Sequence, residues 1–433
     1  MLIPLNNYHQ NTKHSYNSIR TNPNRVDWNN PPNKFKFYSK DYKRVPLNSL
    51  NENYNFLYLI SGISAKKSYP SGEYYLRINP SAGALYPNEV YFQVRNIDGF
   101  EDGIYHLEVG SSSAVLLKKF EKNVGVEEIL ELSYSVDGFI FFISSIYFRS
   151  SWKYKNRAFR YCLLDAGHLI GTMEASSYLF DKKFEILYDF SKEKLNEFFS
   201  FDGKEFFTSI VIVGDKKESK KESFFLELPT LDGASYIEEN ISFFEKNEMV
   251  ENAYNESLKI VDKKVQENSA IFNFQKQRFQ DTIFKRRSIR EFSKQSISKL
   301  QFESIMVVVN QAIKSDCDEE VDIFYTVNRV EGLVLGLYKN EKLIKTGDFS
   351  LKAGYLCLEQ DLGKSSAVTF FLTTKSKNYQ EAYQKAGVIG HRLYLASNYL
   401  DIGCSGIGAY YDDEVCEFVQ EQTMVLYALA IGN

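Results

Sequence analysis

The chain contains one piece of design twice. Asn88–Tyr105 (NEVYFQVRNIDGFEDGIY) aligns without a gap on Val321–Tyr338 (VDIFYTVNRVEGLVLGLY), placing Val94 on Val327, Gly99 on Gly332, Gly103 on Gly336 and Tyr105 on Tyr338. Each copy reads as two strands around a glycine-containing turn. Further on, Phe139–Ser145 (FIFFISS) matches Val368–Thr374 (VTFFLTT), an unbroken apolar run that suits a buried strand. A helical stretch rich in small residues follows each, RAFRYCLLDAGHLIGTMEASSYL and EAYQKAGVIGHRLYLASNYL, matched only with slippage of a residue or two. Repetition on this scale organises the whole chain. It predicts two tandem α+β domains of the same architecture.

The remaining segments set the boundaries. Residues 1–45, with NNPPNKFKFY, lack periodicity and read as an extended N-terminal arm of the kind that wraps a neighbouring domain. The two domains are expected at 46–215 and 270–433, joined by a charged, solvated linker with a surface helix at 216–269. At 433 residues each half is long enough to bury a core. The net charge of −4 gives no nucleic-acid footprint. Cys162, Cys317, Cys357, Cys404 and Cys416 form neither a CxxC nor a Cys/His spacing, so neither zinc nor a disulfide framework is expected. No secretory signal and no 18-residue apolar run is present, which predicts a cytoplasmic protein without a membrane partner.

Three segments carry the chemistry. In RINPSAGALYPNEVYFQV, Pro80, Ser81, Ala82, Gly83 and Ala84 form a small-residue loop through which backbone can come close to a flat or anionic group. In FKRRSIREF, Arg286, Arg287, Ser288 and Arg290 combine guanidinium groups with a hydroxyl, a set suited to phosphate. Leu300, Ile305, Val308 and Ala312 then recur at helical spacing behind this basic turn. In DIGCSGIGAYYDDEV, Gly403, Gly406 and Gly408 flank Ile407 and leave backbone N–H groups able to face a ligand. Taken singly, each has a plainer reading as a solvated turn or a strand end.

Together they resemble the nitroreductase superfamily of FMN enzymes. Within it the chain is most similar to the SagB-type dehydrogenases, which include azoline oxidases. PSAGALYPNEVYFQV, GIYHLE, RAFRYCLLDAGH, RRSIREF, GIGAYYDDEV and the opening YHQNTKHS with VDWNNPPNKFKFY carry the resemblance, which covers nearly the whole chain. It implies FMN sites built from a basic turn and glycine segment of one subunit and a Pro-Ser loop of another. Here the first half keeps the Pro-Ser loop but has only Lys66 and Lys67 where RRSxR would stand, and FEILYDFS in place of the glycine segment. The second half keeps RRSIR and GIG but has SDCDEEVDIFYTV in place of the loop. That division predicts an intrachain pseudodimer with one FMN. By resemblance Arg286 and Ser288 would serve the phosphate and ribityl end. Arg290 would serve the pyrimidine edge, and the Gly406–Gly408 backbone would lie near the reactive ring nitrogen.

The azoline oxidases also carry a Lys-Tyr base pair, for which FRSSWKYKNRAFRY offers Lys153 and Tyr154, beside Arg149 and Arg157. The plainer alternative is a polar helix start. His168 and His391 read as core histidines, Cys404 as structural, and Asp412, Asp413 and Glu414 as an N-capping cluster rather than a metal site. The expected function is an FMN-dependent dehydrogenase or oxidase acting on a modified peptide or a small amino-acid-derived substrate. The alternatives are an NAD(P)H-dependent nitro, quinone or enone reductase, and a non-catalytic scaffold of a peptide-modifying complex.

Overall fold

A computed structural model describes residues 6–21, 26–47, 51–69, 72–121, 124–218, 231, 236–237 and 245–433. The chain forms two compact units, one of Val26–Ser269 with Ile313–Asp318, the other of Met1–Arg25 with Ala270–Ala312 and Glu319–Asn433.

The arm is shared out between them. Its first part holds α1 (Asn6–Asn11) and α2 (Tyr16–Thr21) and lies on the C-terminal unit. Lys13 pairs with Asp413, and the His14 N–H donates to the Asp412 carboxylate at 2.9 Å. Its second part adds β1 (Phe37–Tyr38) and β2 (Arg44–Pro46) to the N-terminal unit.

The N-terminal unit continues with α3 (Glu52–Ser61), started by the Asn51 side chain accepting from the Asn53 N–H. An antiparallel ribbon follows, β3 (Ile63–Tyr69) and β4 (Gly72–Arg77). Then come β5 (Asn88–Arg95), β6 (Gly103–Glu108), β7 (Ser113–Lys119), β8 (Tyr134–Ile146), α4 (Phe148–Tyr154), α5 (Ala158–Leu179), β9 (Phe184–Leu187), α6 (Lys192–Phe198) and β10 (Glu205–Glu218). Within the expected linker the described residues include the end of β10, β11 (Tyr236–Ile237, paired with β1) and α7 (Glu248–Glu256), whose Val250, Ala253 and Tyr254 are buried.

The C-terminal unit contains α8 (Lys276–Lys285), α9 (Lys299–Val309), β12 (Asp322–Val327), β13 (Gly336–Lys339), β14 (Lys342–Thr346), α10 (Ser350–Leu356), α11 (Asp361–Ser365), β15 (Val368–Thr374), α12 (Tyr379–Tyr399), β16 (Gly403–Ile407), α13 (Asp412–Val419) and β17 (Met424–Gly432). A capping box between Ser298 and Gln301 starts α9. The face α9 buries is Phe302, Ile305, Met306 and Val309. Leu300, expected on that face, is 74% exposed, because at about 100° per residue it falls on the side of the helix opposite Phe302, Ile305, Met306 and Val309.

The two sheets share one topology. Strands run β7-β6-β5-β8-β10-β9 in the first, with β2 added beyond β7, and β14-β13-β12-β15-β17-β16 in the second. The register agrees as well: Val94 pairs with Gly103 and Phe139, as Val327 pairs with Gly336 and Val368. Phe92 stacks on Tyr105 with centroids 5.5 Å apart, and their counterparts Tyr325 and Tyr338 stack at 5.3 Å. Gly99 and Gly332 turn the two hairpins at φ +86° and +75°, a region that favours glycine. The edge that β16 forms in one sheet is formed in the other by β9, the FEIL segment expected to replace the glycines.

Candidate functional site

The N-terminal unit builds its candidate site around Pro80–Ala84. Sequence favours an irregular turn here, since Pro80 cannot donate to a ladder and Gly83 has no Cβ. The backbone turns through a short 3₁₀ segment, Ala82–Ala84, with Gly83 at φ 61°, Ala84 at φ 51° and Tyr86 at φ 49°. Two non-glycine residues in the left-handed region store strain, so neighbouring contacts must hold the loop.

They do. Asp165, on α5 and 4% exposed, accepts from Ser81 Oγ at 2.6 Å and from the Ala82 N–H at 3.1 Å. Ser81 Oγ accepts the Tyr86 N–H at 2.9 Å. Arg149 donates to the Tyr86 carbonyl at 2.9 Å and to Glu89 at 2.5 Å, while the Arg77 N–H donates to Tyr86 Oη at 2.9 Å. Burial alone would raise the Glu89 pKa, but Arg149, His106 and Arg77 hold it well below the ordinary range. The loop is thus clamped by a carboxylate on one side and a buried ionic network on the other.

Lys153 and Tyr154 lie against this loop. A Cβ placed on Gly83 would come within 2.8 Å of Tyr154 Oη and 3.2 Å of Lys153 Nζ. Glycine is required here twice over, by φ and by close approach. The pair occupies the last turn of α4 rather than a helix start, as the plainer reading supposed, and a helix C-terminus favours a cation. Tyr154 is stacked on Tyr161 at 4.1 Å. Arg149, expected beside Lys153, is committed to Glu89 and Tyr86. One cation that shares the lysine's field is Lys34, from the arm.

Sequence reasoning missed Asp165 and Lys34. For Asp165 a signal existed: one carboxylate inside the apolar run CLLDAGHLIG needs a buried partner. Burial pushes its pKa up to about 7, against the opposing pull of Ser81 and Ala82. A raised carboxyl pKa stabilises the fold fully below the unfolded value of 3.8, and this contribution is lost as pH rises through about 7. Asp165→Asn keeps an acceptor for Ser81 but cannot ionise. Its melting temperature relative to the wild type should therefore climb between pH 5 and pH 8. A difference that stays flat across that range would show that Asp165 ionises as an ordinary carboxylate.

The C-terminal unit joins its basic turn to its glycine segment. Arg286 caps α8, is 4% exposed, and lies with its guanidinium 5.3 Å from the Tyr394 ring. The Gly406 N–H donates to Tyr394 Oη at 2.6 Å, and that hydroxyl meets Ser288 Oγ at 2.8 Å. The Ile289 N–H donates to the Cys404 carbonyl at 3.0 Å. Gly406 has no room for a side chain, since a Cβ would fall 1.9 Å from Tyr427 Oη. Its N–H, expected to face a ligand, is instead taken by Tyr394. Ile407 is buried within the sheet, and Gly408 follows it. Arg290 is exposed on a bend.

Arg286 and Arg287 line an open cleft of about 410 Å³ together with Arg278, Lys285 and Gly403. Lys285 pairs there with Asp281, and Arg278 with Asp401. Four cations against two acids make an electropositive recess.

The other candidates resolve plainly. His168 and His391 are buried in α5 and α12. Cys404 is buried and its thiol pKa is pushed up by that burial. Asp412 and Asp413 do not cap α13: Tyr411 is the N-cap, and the two acids hold His14 and Lys13. Among the described residues no His, Cys, Asp and Glu group could hold a metal, and no helix is long and apolar enough to cross a membrane.

Comparisons with known proteins agree on the fold. The profile of the Nitroreductase family matches residues 283–433. A Methanocaldococcus jannaschii protein named as a candidate nitroreductase is 26% identical over 132 residues, 30% of this chain. The match spans 63% of that relative's length. A crystal structure of a candidate nitroreductase from Anabaena variabilis superposes with a TM-score of 0.82 at 22% identity, over 100% of both chains.

Proposed function

We propose that this chain, which has the nitroreductase-superfamily fold, is an FMN-dependent oxidoreductase binding one FMN per chain. The observation that carries the reading is the clamped Pro80–Ala84 loop with Lys153 Nζ and Tyr154 Oη against Gly83. A strained loop held by a buried carboxylate and backed by a Lys-Tyr pair is what a preorganised site requires. The electropositive recess beside Arg286 and Arg287 fits the phosphate of FMN, and the Ser288–Tyr394–Gly406 chain fixes that turn. Bound FMN would supply two-electron transfer. Of the chain's own groups, Arg286 and Arg287 would hold the phosphate, with Ser288 and Arg290 as further contacts on that turn. The loop would approach the ring, and Lys153 and Tyr154 would move a proton at the organic substrate.

The likeness to nitroreductases favours an NAD(P)H-dependent reductase of nitro, quinone or enone groups. The Lys153–Tyr154 pair favours the second reading, a SagB-type dehydrogenase of a modified peptide or amino-acid-derived substrate. A scaffold without catalysis would have no need of a strained, clamped loop.

Purified protein should be yellow and release about one FMN per chain on denaturation. A ratio near two would overturn the division of motifs between the halves, and a colourless protein would support the scaffold. Titration with NADPH in the absence of air separates the two chemistries: rapid bleaching marks the reductase, and an inert yellow protein marks the dehydrogenase.

A further inference from the structure

We infer that Lys34 and Lys153 form a subsite for a carboxylate group on the organic substrate, walled by Trp28, Tyr74 and Tyr154. This deepens the reading of Lys153 and Tyr154 as the substrate-side pair and rests on it.

Lys34 leaves the arm just after Pro31 and Pro32, and its backbone carbonyl is anchored by the Arg77 guanidinium. Its ammonium lies 4.2 Å from the Tyr74 ring centroid, and Tyr74 in turn donates to the Gly83 carbonyl at 3.4 Å. Lys153 Nζ lies 5.7 Å from the Trp28 ring and 5.4 Å from the Tyr154 ring. Trp28 is 69% exposed and meets Trp152 edge-on at 5.4 Å, while Trp152 Nε1 donates to the Asp27 carbonyl at 3.2 Å.

Charge sets the ligand class. Burial, helped by Arg77 and Lys153, lowers the Lys34 pKa to about 8, and both of these charged neighbours are cations. Among the described residues no carboxylate pairs with Lys34. The nearby Asp27 carboxylate accepts from Asn29 and Asn30 of its own turn. Two half-buried ammonium groups with no acid supplied for Lys34 create a site that an incoming anion would complete. The aromatic walls suit a planar acid, and the two ammonium point charges suit its carboxylate.

The chain has two tryptophans, and both stand at this site, so intrinsic fluorescence reads it directly. Benzoate titrated at pH 6.5 should change tryptophan emission saturably, while benzamide, its neutral counterpart, should not. Lys34→Gln should weaken benzoate about tenfold or more, and Lys67→Gln, on the exposed ribbon, should leave it unchanged. Lys34 carries its charge below about pH 8 and loses it above. Wild-type affinity should therefore fall by pH 9.5, and Lys34→Arg should lose less over the same range. Circular dichroism confirms that each variant is folded, and Lys34→Arg serves as the rescue should Lys34→Gln fold poorly. Equal binding of benzamide, no saturation, or full benzoate affinity in folded Lys34→Gln would each overturn the subsite. The titration needs no turnover, so its failure leaves the FMN stoichiometry standing, and a failed stoichiometry leaves this result readable.

Discussion

Lys153→Ala and Tyr154→Phe should keep FMN bound with a nearly unchanged visible spectrum while slowing the organic-substrate half-reaction by about 10²–10⁴-fold, the usual contribution of a positioned acid or base. The reason is geometric. Both groups touch Gly83, so they stand at the loop proposed to approach the ring, and neither belongs to the basic recess proposed for the phosphate. Reduction by dithionite, which draws no proton from an organic substrate, should proceed at the wild-type rate. The same holds for hydride delivered by NADPH, if NADPH proves to be the donor. Slowing confined to the organic substrate separates a proton-handling pair from one that shapes the loop, for which every half-reaction would suffer together. Variants that remain yellow and turn over at full rate would remove both residues from the mechanism.

Arg286→Ala should weaken FMN retention by about 10- to 150-fold, the equivalent of about 1.5–3 kcal/mol for a charge-assisted phosphate contact. Arg286 lines the recess and is nearly fully buried, and a buried guanidinium is less screened than one at the surface. Lys66→Ala and Lys67→Ala provide the contrast. Both lie on the β3–β4 ribbon, exposed, with Lys66 paired to Glu73, and flavin content should not change. FMN dissociation followed by ultrafiltration and absorbance at several protein concentrations gives the ratio. Equal losses from Arg286→Ala and from the lysine variants would show that the phosphate role is assigned to the wrong segment. Melting curves of the flavin-free proteins distinguish lost binding from lost folding, because Arg286 also packs over Tyr394.

The repeat was legible from sequence because sheet register is written in the chain with a period of two. Once Val94 fell on Val327 and Gly103 on Gly336, the hairpin pairing followed, and the structure has that pairing in both sheets. Glycines at positive φ and unbroken apolar strands are local demands that a single residue type or run can announce. The Pro-Ser loop, the basic turn and the Lys-Tyr pair were visible for the same reason, as short stretches whose residue types are uncommon together.

Other features depended on partners far along the chain, and only the tertiary structure could supply them. Asp165 clamps Ser81 and Ala82 from a helix that follows the three strands β5, β6 and β7, the long strand β8 and α4. Lys34 comes within the field of Lys153 from an arm with no periodicity to read. The Gly406 N–H goes to Tyr394 rather than toward a ligand, and Asp412 and Asp413 hold the arm rather than capping their helix. Hydrogen bonds and Coulomb interactions act through space over a few ångströms, whatever the separation in sequence. Residue types and their spacing thus determined which elements form and which segments are unusual. The partner of each polar group, and with it the field around Lys153, was decided where the folded chain brings distant segments together.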